Sequence, residues 1–69
     1  MRKQGRVERF DEEVGIGSVR AEDGELYPFH CTQLVDGSRR VAVGTKVSFD
    51  VAAGHRGTWE ARALANGPA

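Results

Sequence analysis

Gly15-Ile16-Gly17-Ser18-Val19, answered further on by Tyr27-Pro28-Phe29-His30-Cys31, is the stretch around which the chain is organised. Two glycines two apart strip the side chains from one face of a strand. Either another strand then crosses tightly there, or a flat ligand lies against the bare backbone. Ile16 and Ser18 share the opposite face, while Val19 falls on the glycine side. In the answering segment Tyr27 and Phe29 share one face, and Pro28 and His30 the other. Strands patterned this way can wrap a small barrel while presenting one face outward.

Working outward, Gly5-Arg6-Val7-Glu8-Arg9-Phe10 reads as a first strand in which Val7 and Phe10 break strict alternation. A bulge near Glu8 or Arg9 restores the register and bends the strand, as a small closed barrel requires. Met1 to Gln4 reads as a loose lead-in. After the acidic turn Asp11-Glu12-Glu13, Val14 to Arg20 forms a second strand, and Asp23-Gly24 supplies a hairpin turn before a third strand, Glu25 to His30. Thr32-Gln33-Leu34-Val35 suits a helical turn, followed by the turn Asp36-Gly37-Ser38 and the basic pair Arg39-Arg40. The cleanest alternation comes in the fourth strand, Thr45 to Val51, with Val47, Phe49 and Val51 inward. Beyond the turn Ala53-Gly54-His55-Arg56-Gly57, Trp59 to Leu64 makes the fifth strand, with Glu60 and Arg62 outward, and residues 65–69 form a flexible tail. Residues 5–64 are therefore expected to be one all-β domain. Its pattern fits a five-stranded antiparallel Greek-key barrel of the oligonucleotide-binding type or a small SH3-like barrel, and leaves the two open.

Bulk properties agree with a small β domain and exclude much else. With 69 residues the chain has room for one modest core. Nine glycines, two prolines and no apolar run of helical length favour strands and tight turns. Lys plus Arg and Asp plus Glu both total ten, so total charge does not point to nucleic acid or to an anionic membrane. The single cysteine excludes an intramolecular disulfide and a multi-cysteine zinc site, and Cys31 reads as a small, partly buried hydrophobe. No apolar signal segment follows the basic N-terminus, and nothing approaches transmembrane length. These features describe a soluble cytoplasmic protein with no membrane partner. No nucleophile–base–orienter set, no metal-ligand spacing and no complete dinucleotide fingerprint is present, so neither an enzyme nor a cofactor or metal site is expected.

The same segments, in order, carry a family resemblance. Gly5-Arg6-Val7-Glu8-Arg9-Phe10-Asp11 resembles the cold-shock domain opening Gly-Lys-Val-Lys-Trp-Phe-Asn. Gly15-Ile16-Gly17-Ser18-Val19 resembles that family's first ribonucleoprotein motif, Gly-Phe-Gly-Phe-Ile. Tyr27-Pro28-Phe29-His30-Cys31 stands where the second motif, Val-Phe-Val-His-Phe, is found. Gly44 to Val51 resembles the fourth strand, and Gly54-His55-Arg56-Gly57 with Ala61 the last hairpin and strand. Each motif alone is weak; their order and spacing from Gly5 to Leu64 are specific. The resemblance implies the oligonucleotide-binding barrel and a single-stranded RNA or DNA partner held on exposed aromatics of the first three strands and the loop after them.

Most of those aromatics are replaced. Arg9 stands for Trp, Ile16 and Ser18 for two Phe, Pro28 and Cys31 for two more, and Ser38 sits about where a loop Phe would be; only Phe10 and His30 keep the family type. Stacking contributes roughly 1–3 kcal/mol per base, so losing three platforms weakens binding by about a hundredfold or more. The resemblance thus implies weak binding with little sequence preference. It would run through the stacking and recognition positions Arg9, Phe10, Ile16, Ser18, Pro28, His30 and Cys31, with Arg6, Arg39 and Arg56 as basic contacts. Trp59 has no aromatic counterpart in the family pattern. Trp59 is either a further nucleic-acid-binding position, as a relocated platform, or a residue packed in the core or at its rim; packing is favoured because large aromatics dominate small cores, and which way it faces stays open. The Arg39-Arg40 pair, the Asp11-Glu12-Glu13 run and His55 each also read as solvated loop residues. The competing function is a barrel that has lost nucleic acid and serves a protein partner or a weak homodimer through an apolar patch at Ile16, Pro28 and Cys31.

Overall fold

The computed structural model describes residues 2–54 and 57–67. Strands β1 (Arg2–Asp11), β2 (Ile16–Ala21), β3 (Leu26–His30), β4 (Lys46–Ala53) and β5 (Trp59–Asn66) form one antiparallel sheet in the order β3-β2-β1-β4-β5. Placing β1 between β2 and β4 is the Greek-key crossing, and the sheet coils until β5 packs against β3. The seam is closed by a parallel bridge between Leu34 and Leu64, reinforced where the Val35 N–H donates to the Leu64 carbonyl at 2.9 Å. A 3-10 turn, Cys31–Gln33, carries the chain from β3 toward that bridge. This is the five-stranded oligonucleotide-binding barrel.

The core follows from the alternation. Val7, Val19, Tyr27, Phe29, Val47, Phe49, Ala61 and Leu64 are buried inside the coil, with Tyr27 tilted against Phe49 at 5.8 Å between ring centroids. The broken alternation of β1 has the expected cause. Val7 pairs with Val19 but Arg9 pairs with Ser18, so Glu8 is the bulged residue that brings both Val7 and Phe10 to the inner side. A second bulge lies in β5, where Ala63 and Leu64 together oppose Phe49. Ala63 there adopts φ 52°, and its N–H donates to Gln33 Oε1 at 3.2 Å.

Several boundaries differ from the sequence reading. Arg2, Lys3 and Gln4, expected as lead-in, pair with Asp50, Phe49 and Ser48 of β4. At the other end Ala65 and Asn66 continue β5, and the Gly67 N–H donates to the Lys46 carbonyl at 2.8 Å. Val14 lies in the turn rather than in β2, because Asp11 draws that segment into a loop: its Oδ1 accepts the Glu13 N–H at 3.0 Å. Ser48 keeps its outward register but is buried, since Arg2 Nη2 donates to its carbonyl and to its Oγ, each at 3.2 Å.

Candidate functional site

The β1–β2–β3 registers arrange the outward side chains in rows. Arg9 pairs with Ser18 and Ser18 with Pro28; one step along, Asp11 pairs with Ile16 and Ile16 with His30. On the far side of the Glu8 bulge a third row runs Arg6, Arg20, Leu26. The alternating rows face inward: Val7–Val19–Tyr27, and then Phe10–Gly17–Phe29. The outer face is therefore a short grid of exposed side chains on a packed barrel wall.

Both glycines of the organising stretch answer the barrel rather than a ligand. A Cβ on Gly17 would run into the Arg9 carbonyl and lie 2.9 Å from the rings of Phe10 and Phe29. Gly15, at φ 71°, would press a Cβ to 2.8 Å from Cys31 Sγ. The space at Gly17 is filled by the crossing strand β1 and two core rings, and that at Gly15 by the Cys31 side chain.

His30 is tied to the backbone on this face. Its Nδ1 accepts the Thr32 N–H at 3.2 Å and lies 3.0 Å from Thr32 Oγ1, capping the 3-10 turn. A backbone N–H can donate only to a ring lone pair, which leaves the proton of the neutral ring on Nε2. The imidazole is thus held in one orientation with a donor at its free end. Sequence reasoning missed Thr32, although a polar residue two positions after His30 is the signal for such a cap.

Arg9 is exposed, and its guanidinium takes part in no ion pair among the described residues. Glu8 is instead engaged by Arg20, whose Nε and Nη2 donate to the two carboxylate oxygens at 2.7 Å each. That hydrogen bonding holds the Glu8 carboxyl below the usual carboxylate range, and the nearby charges of Arg20 and Arg9 act in the same direction.

The other expected site residues separate. Ile16 is 52% exposed and lies between Asp11 and His30, so it does sit on the face. Phe10 instead belongs to an inner row: it is half-buried, packs against the core, and stacks one ring face on Phe29 at 5.9 Å. Cys31 likewise turns inward, its N–H donating to the Gly15 carbonyl at 2.7 Å and its thiol packed on the core. Arg40 pairs with Glu12 at 3.3 Å, which draws the loop after the 3-10 turn to the β1–β2 turn and leaves the exposed Arg39 near that end. Arg6 is exposed but lies beyond the bulge. Trp59 is 60% exposed and so is not a core plug; it pairs with Ala53 and is not part of these rows. At the start of β5 the inner-face parity has run past the barrel wall, so no core is left for the indole to enter. Arg56 and His55 lie outside the described residues. Among the described residues no group of three or more His, Cys, Asp or Glu could hold a metal ion, and no helix is long and apolar enough to cross a membrane.

No protein-family model matches the sequence. The chain is 38% identical over 55 residues to Cold shock-like protein CspC of Bacillus cereus, an alignment covering 78% of this chain and 85% of that protein. It is 39% identical over 56 residues to Cold shock protein CspC of Bacillus subtilis, covering 80% and 85%. Among solved structures, Drosophila Unr CSD456 superposes with a TM-score of 0.80 at 28% identity, covering 99% of this chain and 27% of that one. The chain thus corresponds to about a quarter of that structure.

Proposed function

This chain belongs to the cold-shock domain family, and from that premise we propose that it is a single-stranded RNA- or DNA-binding module, a binding protein rather than an enzyme, working in the cytoplasm. The observation that carries the reading is the pair of adjacent outward rows, Arg9–Ser18–Pro28 and Asp11–Ile16–His30. Arg9 offers a guanidinium plane for a base or a charge for a phosphate, Pro28 and Ile16 offer apolar contact, and His30 presents a fixed Nε2–H. Arg39 extends the basic contacts from the loop. With one flat ring left on the face, binding is weak, and with few groups aimed at base edges it carries little sequence preference.

The test is a salt-series titration with oligo-dT and oligo-U, following backbone amide shifts and Trp59 fluorescence. Saturable shifts at Arg9, Gly17 and His30 that weaken with salt are the expected result. An absence of shifts at low salt and high oligonucleotide concentration would overturn the reading. The exposure of Val14 (61%) beside Ile16 (52%) favours a second reading, in which this end of the face meets a protein partner or another copy. Self-association insensitive to oligonucleotide would be its mark.

A further inference from the structure

Like charges set directly opposite one another on neighbouring strands destabilise a sheet. The outer face carries such an arrangement: Lys46 of β4 pairs with Arg6 of β1, and Arg6 with Arg20 of β2. Three cations thus stand side by side in a chain whose net charge is zero. Only Arg20 is neutralised, by Glu8. Arg6 Nη1 donates to the Gly44 carbonyl at 3.2 Å, and neither Arg6 nor Lys46 takes part in an ion pair among the described residues.

These cations border a cleft of about 630 Å³, within the size range of small-molecule sites. Val43, 63% exposed, is the apolar side chain the cleft presents, and the core residues Val7, Ala21 and Val47 lie beneath its floor. Two carboxylates, Glu8 and Glu22, also line it. With Glu8 engaged by Arg20, two cations stand against Glu22. The cleft lies across the Glu8 bulge from Arg9, and Ile16, Pro28 and His30 take no part in its lining.

We propose that this cleft is a second ligand site, distinct from the rows Arg9–Ser18–Pro28 and Asp11–Ile16–His30, that takes a phosphate monoester carried on an apolar-faced ring, the chemistry of a nucleotide. A monoester brings close to two negative charges at neutral pH, which match Arg6 and Lys46, and the fork of Arg6 suits phosphate oxygens. The exposed Val43 gives the ring an apolar contact. Such a phosphate has two sources, a free mononucleotide or the phosphorylated end of a strand.

The experiment titrates the isotope-labelled full chain with adenosine monophosphate, with adenosine, and with short oligo-dT carrying either a 5′-phosphate or a 5′-hydroxyl. Saturating amide shifts at Gly44 and Lys46 are expected with the monophosphate, and shifts about fivefold weaker or less with adenosine. Lys46→Gln should weaken the monophosphate response several-fold, and Val43→Asp, at an exposed position that leaves the core untouched, should abolish it by setting a like charge beside the phosphate and removing the apolar contact. Cleft shifts with the 5′-phosphorylated strand but not with its hydroxyl form identify a strand end; shifts with the mononucleotide alone identify a free nucleotide. No cleft shifts up to about 10 mM of any phosphorylated probe, or equal responses to adenosine and its monophosphate, would overturn the proposal. Shifts at Arg9 and His30 are read separately in the same spectra, so failure here leaves the β1–β3 face to its own test.

Discussion

Phe10 and Phe29 stack across Gly17, with ring centroids 5.9 Å apart and planes 8° from parallel, although their strands are separated by β2. The two rings meet because the residue between them has no side chain. Gly17→Ala would place a methyl 2.9 Å from both rings and against the Arg9 carbonyl, which is fixed in the ladder. We expect overpacking to cost about 1–3 kcal/mol, measured as a lower urea midpoint at unchanged m. An unchanged midpoint would mean that the rings can part freely and that Gly17 is not the spacer.

The β5 bulge has the opposite sign. Ala63 holds φ 52°, a left-handed conformation that bulges of this kind normally assign to glycine. Ala63→Gly should therefore stabilise the protein by up to about 1 kcal/mol, the strain relieved exceeding the entropy glycine adds to the unfolded chain. Gln33→Ala should lower stability by about 1 kcal/mol, because the Ala63 N–H, set free from the ladder by the bulge, loses the Gln33 Oε1 acceptor. Thermal melts of the two variants, moving in opposite directions, check both statements.

Much of this fold was legible because parity is a hard constraint on a strand. Val7 and Phe10 cannot share a face without one extra residue, and that residue is Glu8. Gly15 and Gly17, two apart, likewise announced a close approach by a strand or a flat ligand, though not that Phe10 and Phe29 would fill the space at Gly17. Parity says which face a residue takes and not where the barrel ends, so it left open whether Trp59 packs or faces out, and the residue is exposed. Nor does it foresee that a neighbour's side chain will cover an outward residue, as Arg2 covers Ser48. The candidate site was legible in its rows but not in its depth. Phe10 and Cys31 occupy family positions in sequence, while the bulge and the 3-10 turn swing them onto the core.

Acid stability should depend on Glu8 and Asp23. Hydrogen bonds from Arg20 to Glu8 and from Lys3 to Asp23 hold both carboxyls below their usual range in the folded chain. As pH falls through that range, the unfolded chain takes up protons before the native one does, so stability declines until the depressed native values are passed. The contribution is present above the ordinary carboxylate range and lost below it. Glu8→Gln and Asp23→Asn should each flatten the acid limb of a melting-temperature profile and leave its slope near neutrality unchanged; both ion pairs are exposed, so the effect is small and shrinks with salt. An acid limb as steep in the double variant as in the parent would place the acid sensitivity elsewhere.

The row Arg9–Ser18–Pro28 gives the binding proposal its most direct test, because its centre is the smallest group on the face. Ser18 points outward and is only half-buried, so Ser18→Phe adds a ring without entering the core. A phenyl ring there stands between the Arg9 guanidinium and the Pro28 ring, where a base could lie on it. One stacking platform is worth roughly 1–3 kcal/mol, so affinity for oligo-dT should rise about fivefold or more, with a salt slope like that of the parent. Arg9→Ala should do the reverse in both respects: weaker binding, and a salt slope shallower by about one phosphate contact. If Ser18→Phe leaves affinity unchanged while the barrel stays folded, bases do not cross this row, and the weakness of the face is not caused by its missing aromatics.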